Sequence, residues 1–156
     1  MPKIQDSIDV GVPVRQAYNQ WTQFEEFPKF MEGVQSVRQL DDTHVQWVAE
    51  IRGASREWTT EIVEQQPDEK VEWKTIDGEV KNDGVVTFEQ VADGQTRINV
   101  EMDVAGESTA ENVAGDLLGV VKKQVRGDLE RFKQLVEGRD DETGAWRGTV
   151  RDGKTS

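Results

Sequence analysis

The leucines and valines of this chain occupy different parts of the sequence. Four of the five leucines lie between residues 117 and 135, whereas most of the 21 valines come before residue 105. Valine is β-branched and favours strands, whereas leucine is a strong helix former. The segregation therefore predicts a β-rich body followed by one long helix, which is an α+β layout and not an alternation of strands and helices.

Apolar and polar residues alternate with a period of two over most of the valine-rich part, which predicts seven strands. They are expected at residues 3–10, 35–40, 45–51, 56–64, 70–76, 80–90 and 96–104. Two short helices are predicted after the first strand, at residues 14–21 behind Pro13 and at residues 24–31. The pairs Asp41-Asp42, Asp77-Gly78 and Asp93-Gly94 are typical of tight turns that need a positive φ.

A helical pattern begins near residue 108. Ser108 and Glu111 have the spacing of a capping box, and apolar residues then recur every three or four positions as far as Val136. Residues 138–156 have no periodicity and contain one isolated aromatic residue, Trp146. We therefore expect one domain over residues 1–137 and a flexible tail over residues 138–156.

Charge and composition exclude several classes of function. The chain has 31 acidic and 19 basic residues, a net charge of −12, and such a surface disfavours nucleic acids and anionic membranes. It has no apolar run of about 20 residues that could span a bilayer and no leader-like N-terminus. We expect a cytoplasmic protein with no nucleic-acid partner and no stable membrane insertion.

The chain has few side chains that could ligate a metal ion or act as a nucleophile. Cysteine is absent and His44 is the only histidine, which excludes disulfides, thiolate chemistry and multi-histidine metal sites. The acidic run at residues 140–142 lacks the alternating ligand spacing of a calcium loop. The sequence therefore predicts neither a metal nor a cofactor.

The alternation places three tryptophans, Trp47, Trp58 and Trp73, on the apolar face of the sheet, together with Thr60. A curved sheet around one helix either fills its interior with side chains or leaves a pocket for a hydrophobic guest. The tryptophans are accordingly either core residues or the wall of a binding site. The aromatic residues of segment 24–31 are either a plug at one end of the sheet or a mobile lid.

Three segments together resemble the START-like (SRPBCC) superfamily. They are residues 24–31 (Phe-Glu-Glu-Phe-Pro-Lys-Phe-Met), residues 33–37 (Gly-Val-Gln-Ser-Val) and residues 127–133 (Gly-Asp-Leu-Glu-Arg-Phe-Lys). Within the superfamily the chain is most similar to the bacterial polyketide cyclase/dehydrase and lipid-transport proteins, which include coenzyme Q-binding START domains. Over residues 3–137, the resemblance implies a helix-grip fold: a seven-stranded antiparallel curved sheet around a long C-terminal helix. It also implies a cavity for a lipid, polyketide or quinone-like molecule.

The same resemblance bears on catalysis. The aromatase/cyclase members use an arginine and a tyrosine in the cavity, and their pocket strand reads Trp-x-Ser-x-Arg. The corresponding positions here are Trp58 and Thr60, which match in kind, and Ile62 in place of the arginine. The tyrosine position falls at about Val34. Because aldol cyclisation needs a proton acceptor and a group that stabilises the enolate oxygen, we expect no catalytic residue.

The resulting prediction is binding or transport of a small hydrophobic molecule without catalysis. A cyclase or dehydratase with a non-standard residue set remains as an alternative, and so does a module that binds a partner through segment 24–31 or the tail. Of the substitute catalytic groups, His44 is expected to be solvated and Tyr18 to place its hydroxyl at the surface, while Asp6 is either at a strand edge or buried. The predicted ligand-binding residues are Phe27, Phe30, Met31, Trp47, Trp58, Thr60, Trp73, Val86, Phe88, Met102, Leu117 and Val121.

Overall fold

The computed structural model describes residues 3–31, 34–51, 54–78, 80–106, 115–138, 148–151 and 153–155. The main strands are β1 (Lys3–Val10), β2 (Val34–Gln39), β3 (His44–Ile51), β4 (Ala54–Gln66), β5 (Lys70–Gly78), β6 (Val80–Ala92) and β7 (Gln95–Gly106). The helices are α1 (Val14–Trp21), a 3₁₀ helix (Phe24–Lys29) and α2 (Gly115–Glu137). The seven predicted strands are confirmed, whereas the predicted capping box at Ser108 lies outside the described residues.

The main strands form one antiparallel sheet in the order β1-β7-β6-β5-β4-β3-β2. Helix α2 packs against its apolar face through Val125, Leu129, Phe132 and Val136, which are all buried. Their spacing of three or four residues places them on one side of the helix. The α+β helix-grip architecture predicted from the sequence is confirmed.

The hairpin turns are formed in two different ways, by glycines with a positive φ and by an aspartate that accepts backbone hydrogen bonds. Gly78 and Gly94 have φ values of +121° and +68°, a region that costs glycine little because it lacks a Cβ atom. The prediction of a positive φ is wrong for the β2–β3 turn, where the Asp41 carboxylate accepts hydrogen bonds from the backbone N–H groups of Thr43 and His44, each at 2.9 Å. The Thr43 N–H, followed by the His44 side chain, holds the pKa of Asp41 below its usual value.

The end of the chain differs from its prediction. Within the segment expected to be a flexible tail, β8 (Val150–Arg151) and β9 (Lys154–Thr155) form a small hairpin. Strand β3 pairs with β4 only as far as Glu61, so the rest of that β4 edge is open for β8, where Val150 lies opposite Gln65. Val150 is fully buried. The sheet therefore extends beyond the boundary predicted at residue 137, whereas Trp146 lies outside the described residues.

No helix in the described part of the chain combines the length and apolar character needed to cross a bilayer.

The last turn of α2 is tied to the loop between β1 and α1. One carboxylate oxygen of Glu137 accepts hydrogen bonds from Lys133 Nζ and from the backbone N–H of Gly11, each at 2.6 Å. Lys133 also donates to the backbone carbonyl of Asp9 at 2.9 Å. The Lys133 hydrogen bond lowers the pKa of Glu137 below its ordinary value of 4.5, with a smaller contribution from Gly11, while partial burial opposes the shift.

We expect Glu137→Gln to lower the free energy of unfolding at pH 7 by less than about 1 kcal/mol, because the pair is screened by solvent. The folded-state pKa lies below 4.5, so the stabilisation is present above that pH and disappears as the pH falls through the lowered value. Urea titrations from pH 7 to pH 3 measure the difference. Glu130→Gln is the control, since the ion pair of Glu130 is with Arg126 on the same helix. A difference that persists unchanged at pH 3 would contradict the prediction.

Candidate ligand-binding site

A cavity of about 150 Å³ lies between the apolar face of the sheet, the 3₁₀ helix and α2. This volume is comparable to that of an engineered apolar cavity that stays dry and binds benzene. Its apolar wall consists of Trp21, Phe24, Phe27, Phe30, Met31, Val34, Val45, Trp47, Ala49, Trp58, Ile62, Val71, Trp73, Val100, Met102, Val125 and Leu129. The polar members of the wall are Glu50, Thr60, Asn82, Gln124 and Asp128.

The structure brings most of the predicted ligand-binding residues to this cavity. Those that line it are Phe27, Phe30, Met31, Trp47, Trp58, Thr60, Trp73 and Met102. Val86 and Phe88 are buried in the core outside the lining, and Phe88 packs edge-on against Tyr18 and Trp21 of α1, with ring centroids 5.4 and 6.1 Å apart. Leu117 and Val121 belong to α2, but their side chains lie outside the described part of the structure.

The 3₁₀ helix closes one end of the cavity and is joined to the core by its aromatic residues. The Phe27 ring lies 5.5 Å from Trp21 and 5.7 Å from Trp47, measured between centroids. Phe30 lies 5.2 Å from Phe132 of α2, and Phe27 and Phe30 are both buried. These contacts favour the plug over the mobile lid. Each such aromatic pair adds about 0.5–1.5 kcal/mol beyond the area it buries.

Most polar groups inside the cavity are already paired with one another. The indole N–H of Trp47 donates to Thr60 Oγ1 at 3.0 Å, and the Thr60 hydroxyl donates to the backbone carbonyl of Val45 at 3.5 Å. The Trp73 indole donates to Asn82 Oδ1 at 3.3 Å. The groups that the sequence predicted to orient a ligand are thus largely occupied by protein partners.

Trp58 is the exception. Its ring stacks in parallel on Trp47, with centroids 6.0 Å apart, and the residue is 6% exposed. Its Nε1–H is buried and has no hydrogen-bond partner among the residues that the structure describes. Leaving a buried donor unsatisfied costs about 1–3 kcal/mol. This nitrogen has almost no accessible surface, so an acceptor from outside the protein could reach it only if neighbouring groups moved.

The charged members of the lining lie where the cavity approaches solvent. Glu50 is exposed, and Asp128 accepts a 2.6 Å hydrogen bond from Arg131, whose Nε also donates to the backbone carbonyl of Phe30 at 2.6 Å. Within the described lining there is no lysine, arginine or histidine. The cavity therefore combines an apolar interior with a rim that carries two carboxylates, one of which is paired with Arg131.

Two of the predicted substitute catalytic groups lie away from the cavity. The prediction for Tyr18 is wrong: its side chain is fully buried, and its hydroxyl accepts a 3.0 Å hydrogen bond from Gln65 Nε2. The hydroxyl is buried because α1 lies against the sheet, which local periodicity cannot show. His44 is at the β2–β3 turn, partly exposed, with Nδ1 2.8 Å from Asp41 Oδ1 and Nε2 3.6 Å from Glu61.

Of the two alternatives for Asp6, a strand-edge position or a buried carboxylate, the structure supports the strand edge. Its side chain is 22% exposed, and its carboxylate lies 3.2 Å from Arg126 of α2. Ile4 and Ile8, on the same face of β1, are buried. Asp6 is not part of the cavity lining. Its charge is neutralised by Arg126 at the edge of the helix–sheet contact.

The rim residues on α2 were missed by the sequence analysis. Gln124 and Asp128 are four residues apart and therefore lie on the same side of a helix, next to the buried positions Val125 and Leu129. That spacing was visible in the sequence. What it could not show is that this side of α2 borders the cavity.

A curved antiparallel sheet that packs around a C-terminal helix and encloses an apolar cavity defines a helix-grip protein. Residues 10–134 match the model of the family described as polyketide cyclase / dehydrase and lipid transport. The match covers most of the 156 residues, so the chain belongs to this family, and the START-like resemblance predicted from the sequence is confirmed.

Individual proteins resemble this chain in sequence or in fold. The chain is 52% identical over 150 residues to an uncharacterised 17.2 kDa protein of the melC2-rnhH intergenic region of Streptomyces lincolnensis, covering 96% of this chain and 99% of that protein. A START superfamily protein from Mycobacterium smegmatis superposes with a TM-score of 0.69 at 18% identity, covering 88% and 95% of the two chains. The Zhui aromatase/cyclase from Streptomyces sp. R1128 superposes with a TM-score of 0.72 at 14% identity, covering 92% and 98%. At these identities the two structures show a shared fold.

Proposed function

We propose that this protein binds or transports a small hydrophobic molecule in the cavity and does not change it chemically. The observation that carries the proposal is the composition of the wall, which is aromatic and aliphatic apart from two paired polar groups and the rim. Binding would come from removal of apolar surface from water, at about 25 cal/mol for each Å². The inclusion of lipid transport in the family's description supports the same function.

The absence of catalysis is proposed from the two positions at which the resemblance places the cyclase arginine and tyrosine. Ile62 and Val34 both line the cavity, so these positions contribute apolar side chains to the wall. Neither side chain can accept a proton or stabilise an enolate.

The alternative is a cyclase or dehydratase that uses the rim. Asp128 lines the cavity and is hydrogen-bonded to Arg131, an arrangement that places a carboxylate and a cation beside a bound substrate. The similarity of the fold to an aromatase/cyclase supports this alternative. Turnover of a reactive polyketone that is lost in Asp128→Asn would establish it and would overturn the non-catalytic proposal.

The cellular setting is part of the proposal. We place the protein in the cytoplasm without a nucleic-acid partner. The net charge of −12 supports the second point, since phosphate backbones are recognised mainly by lysine and arginine.

A cavity-filling substitution tests the proposal. We expect tetralin, an apolar two-ring hydrocarbon, to raise the Tm of the wild-type protein, with about 1.4 kcal/mol of stabilisation for each tenfold excess over its Kd. Val100→Phe should reduce this shift by at least about half, because Val100 lines the cavity and is 6% exposed. Thermal denaturation with and without tetralin measures the effect.

The matched control is Val85→Phe, the same change on β6 at a half-buried position outside the lining. It should leave the tetralin shift unchanged. Native mass spectrometry of freshly purified protein would identify a ligand carried over from the cell. If neither tetralin nor any other apolar probe binds, the proposed function is wrong.

A further inference from the structure

A glycine lies next to the part of the cavity wall that Trp73 forms. In the register of the sheet, Gly84 of β6 pairs with Trp73 of β5 on one side and with Met102 of β7 on the other. A Cβ atom built on Gly84 would come within 2.8 Å of the ring atom Cζ2 of Trp73 and within 3.0 Å of Met102 Cγ. The Trp73 indole therefore occupies space that a side chain at Gly84 would otherwise take.

The indole of Trp73 is held in this position by the strand that carries the glycine. Its Nε1–H donates at 3.3 Å to Oδ1 of Asn82, which lies two residues before Gly84 and on the same face of β6. Asn82 is fixed in turn by Thr75, whose Oγ1 accepts a 2.8 Å hydrogen bond from the Asn82 N–H and donates at 3.0 Å to the Asn82 carbonyl. Trp73 and Asn82 line the cavity, whereas Gly84 does not. The indole thus separates the cavity from the glycine.

Trp47 lines the same cavity but has neighbours of a different kind. Its Nε1–H also donates to a side chain of the wall, Thr60 Oγ1 at 3.0 Å. Its ring, however, packs against two other rings, with centroids 6.0 Å from Trp58 and 5.7 Å from Phe27. Among the described residues, no aromatic ring packs against Trp73 in this way. Space left by a shortened Trp47 can be filled by those two rings, whereas the glycine beside Trp73 has no side chain to offer.

We propose that Trp73 sets the upper size limit of the ligand, because its indole fills the part of the sheet surface that Gly84 leaves without a side chain. A smaller residue at position 73 would join this space to the cavity of about 150 Å³ and would admit a larger apolar molecule. The inference rests on the proposed function and narrows it. It assigns size selection to one residue, and it holds for any apolar guest, whatever functional groups that guest carries.

Two fluorescent amines that differ by one fused ring, 1-aminonaphthalene and 1-aminoanthracene, test the inference. Both are uncharged at pH 7, and their emission increases in an apolar environment, so fluorescence titration gives the Kd of each. The extra ring adds apolar surface, which by itself favours tighter binding. We nevertheless expect the wild-type protein to bind 1-aminoanthracene at least about tenfold more weakly than 1-aminonaphthalene, because the indole of Trp73 blocks the third ring.

The same substitution at two tryptophans locates the size limit. In Trp73→Leu the ratio of the two Kd values should change by at least about tenfold in favour of 1-aminoanthracene, because the third ring gains the space beside Gly84. Trp47→Leu is the matched control, since it removes an indole from the wall of the same cavity. There the ratio should change by less than about threefold, because neighbouring rings can fill the space. Taking the ratio cancels a general loss of apolar contact, which affects both amines alike.

Trp73→Phe keeps the inference testable if Trp73→Leu does not fold. Phenylalanine is smaller than tryptophan, so the ratio should shift in the same direction by a smaller factor. Equal Kd values for the two amines in the wild-type protein, an unchanged ratio in the variants at position 73, or an equal change in Trp47→Leu would overturn the inference while the proposed function stands. If the wild-type protein binds neither amine, the inference also fails, and the tetralin measurement then decides the proposed function on its own.

Discussion

We expect Phe132→Ala to lower the free energy of unfolding by about 3–5 kcal/mol, the usual cost of deleting a fully buried phenylalanine. Phe132 has no exposed surface, and its ring lies 5.1 Å from Trp21 and 5.2 Å from Phe30. It is therefore the point at which α2 contacts both α1 and the end of the 3₁₀ helix. The loss corresponds to a fall in Tm of about 6–20 °C for a domain of this size.

Urea denaturation followed by tryptophan fluorescence measures this change. Gln134→Ala is the control, since Gln134 lies two residues away on the same helix and is exposed; it should change the stability by no more than about 0.5 kcal/mol. A loss below about 1 kcal/mol in Phe132→Ala would show that the aromatic contacts between α2 and the two short helices contribute little.

Gly78→Ala should destabilise the protein by about 3 kcal/mol or more, combining overpacking with backbone strain. A Cβ atom at Gly78 would collide with the Cα of Trp58 and lie 2.6 Å from the Glu57 carbonyl oxygen. Those atoms belong to the backbone of β4, which cannot move without disturbing the sheet. The φ of +121° adds strain for any residue with a side chain.

Gly94→Ala separates the cost of backbone strain from the cost of the collision with β4. Gly94 also has a positive φ, +68°, but a Cβ atom there would meet nothing within 4 Å. This variant should lose only about 1–2 kcal/mol, the cost of the left-handed conformation itself. Thermal denaturation of both variants measures the difference, and equal losses would show that the approach of Gly78 to β4 is unimportant. Gly78→Ala should also weaken ligand binding, because Gly78 pairs with Trp58.

The parts of the fold that were predicted correctly are those whose pattern repeats locally. Each of the seven main strands is long enough to show a period of two, and the buried residues of α2 recur with helical spacing. Strands β8 and β9 have two residues each, which is too short to show any period. Their formation depends on the open edge of β4, which exists because β3 begins at His44, opposite Glu61.

The candidate site was likewise predicted only where a local pattern carries the information. Alternation correctly placed Trp47, Trp58 and Thr60 on the face that borders the cavity. It could not separate them from Phe88, which occupies the same face but is covered by Tyr18 and Trp21 of α1. Which part of a face is covered depends on where a helix packs, and this is a property of contacts between residues distant in sequence.

The sequence by itself determined the class of fold, the side of the sheet that is apolar and the family, because periodicity and motifs are carried by neighbouring residues. Only the tertiary structure decided how large the cavity is, which carboxylates lie at its rim, and that the Trp73 donor is satisfied whereas the Trp58 donor has no partner among the described residues. Volume, rim charge and hydrogen-bond pairing depend on the three-dimensional arrangement of separate strands and helices, and no local pattern encodes them.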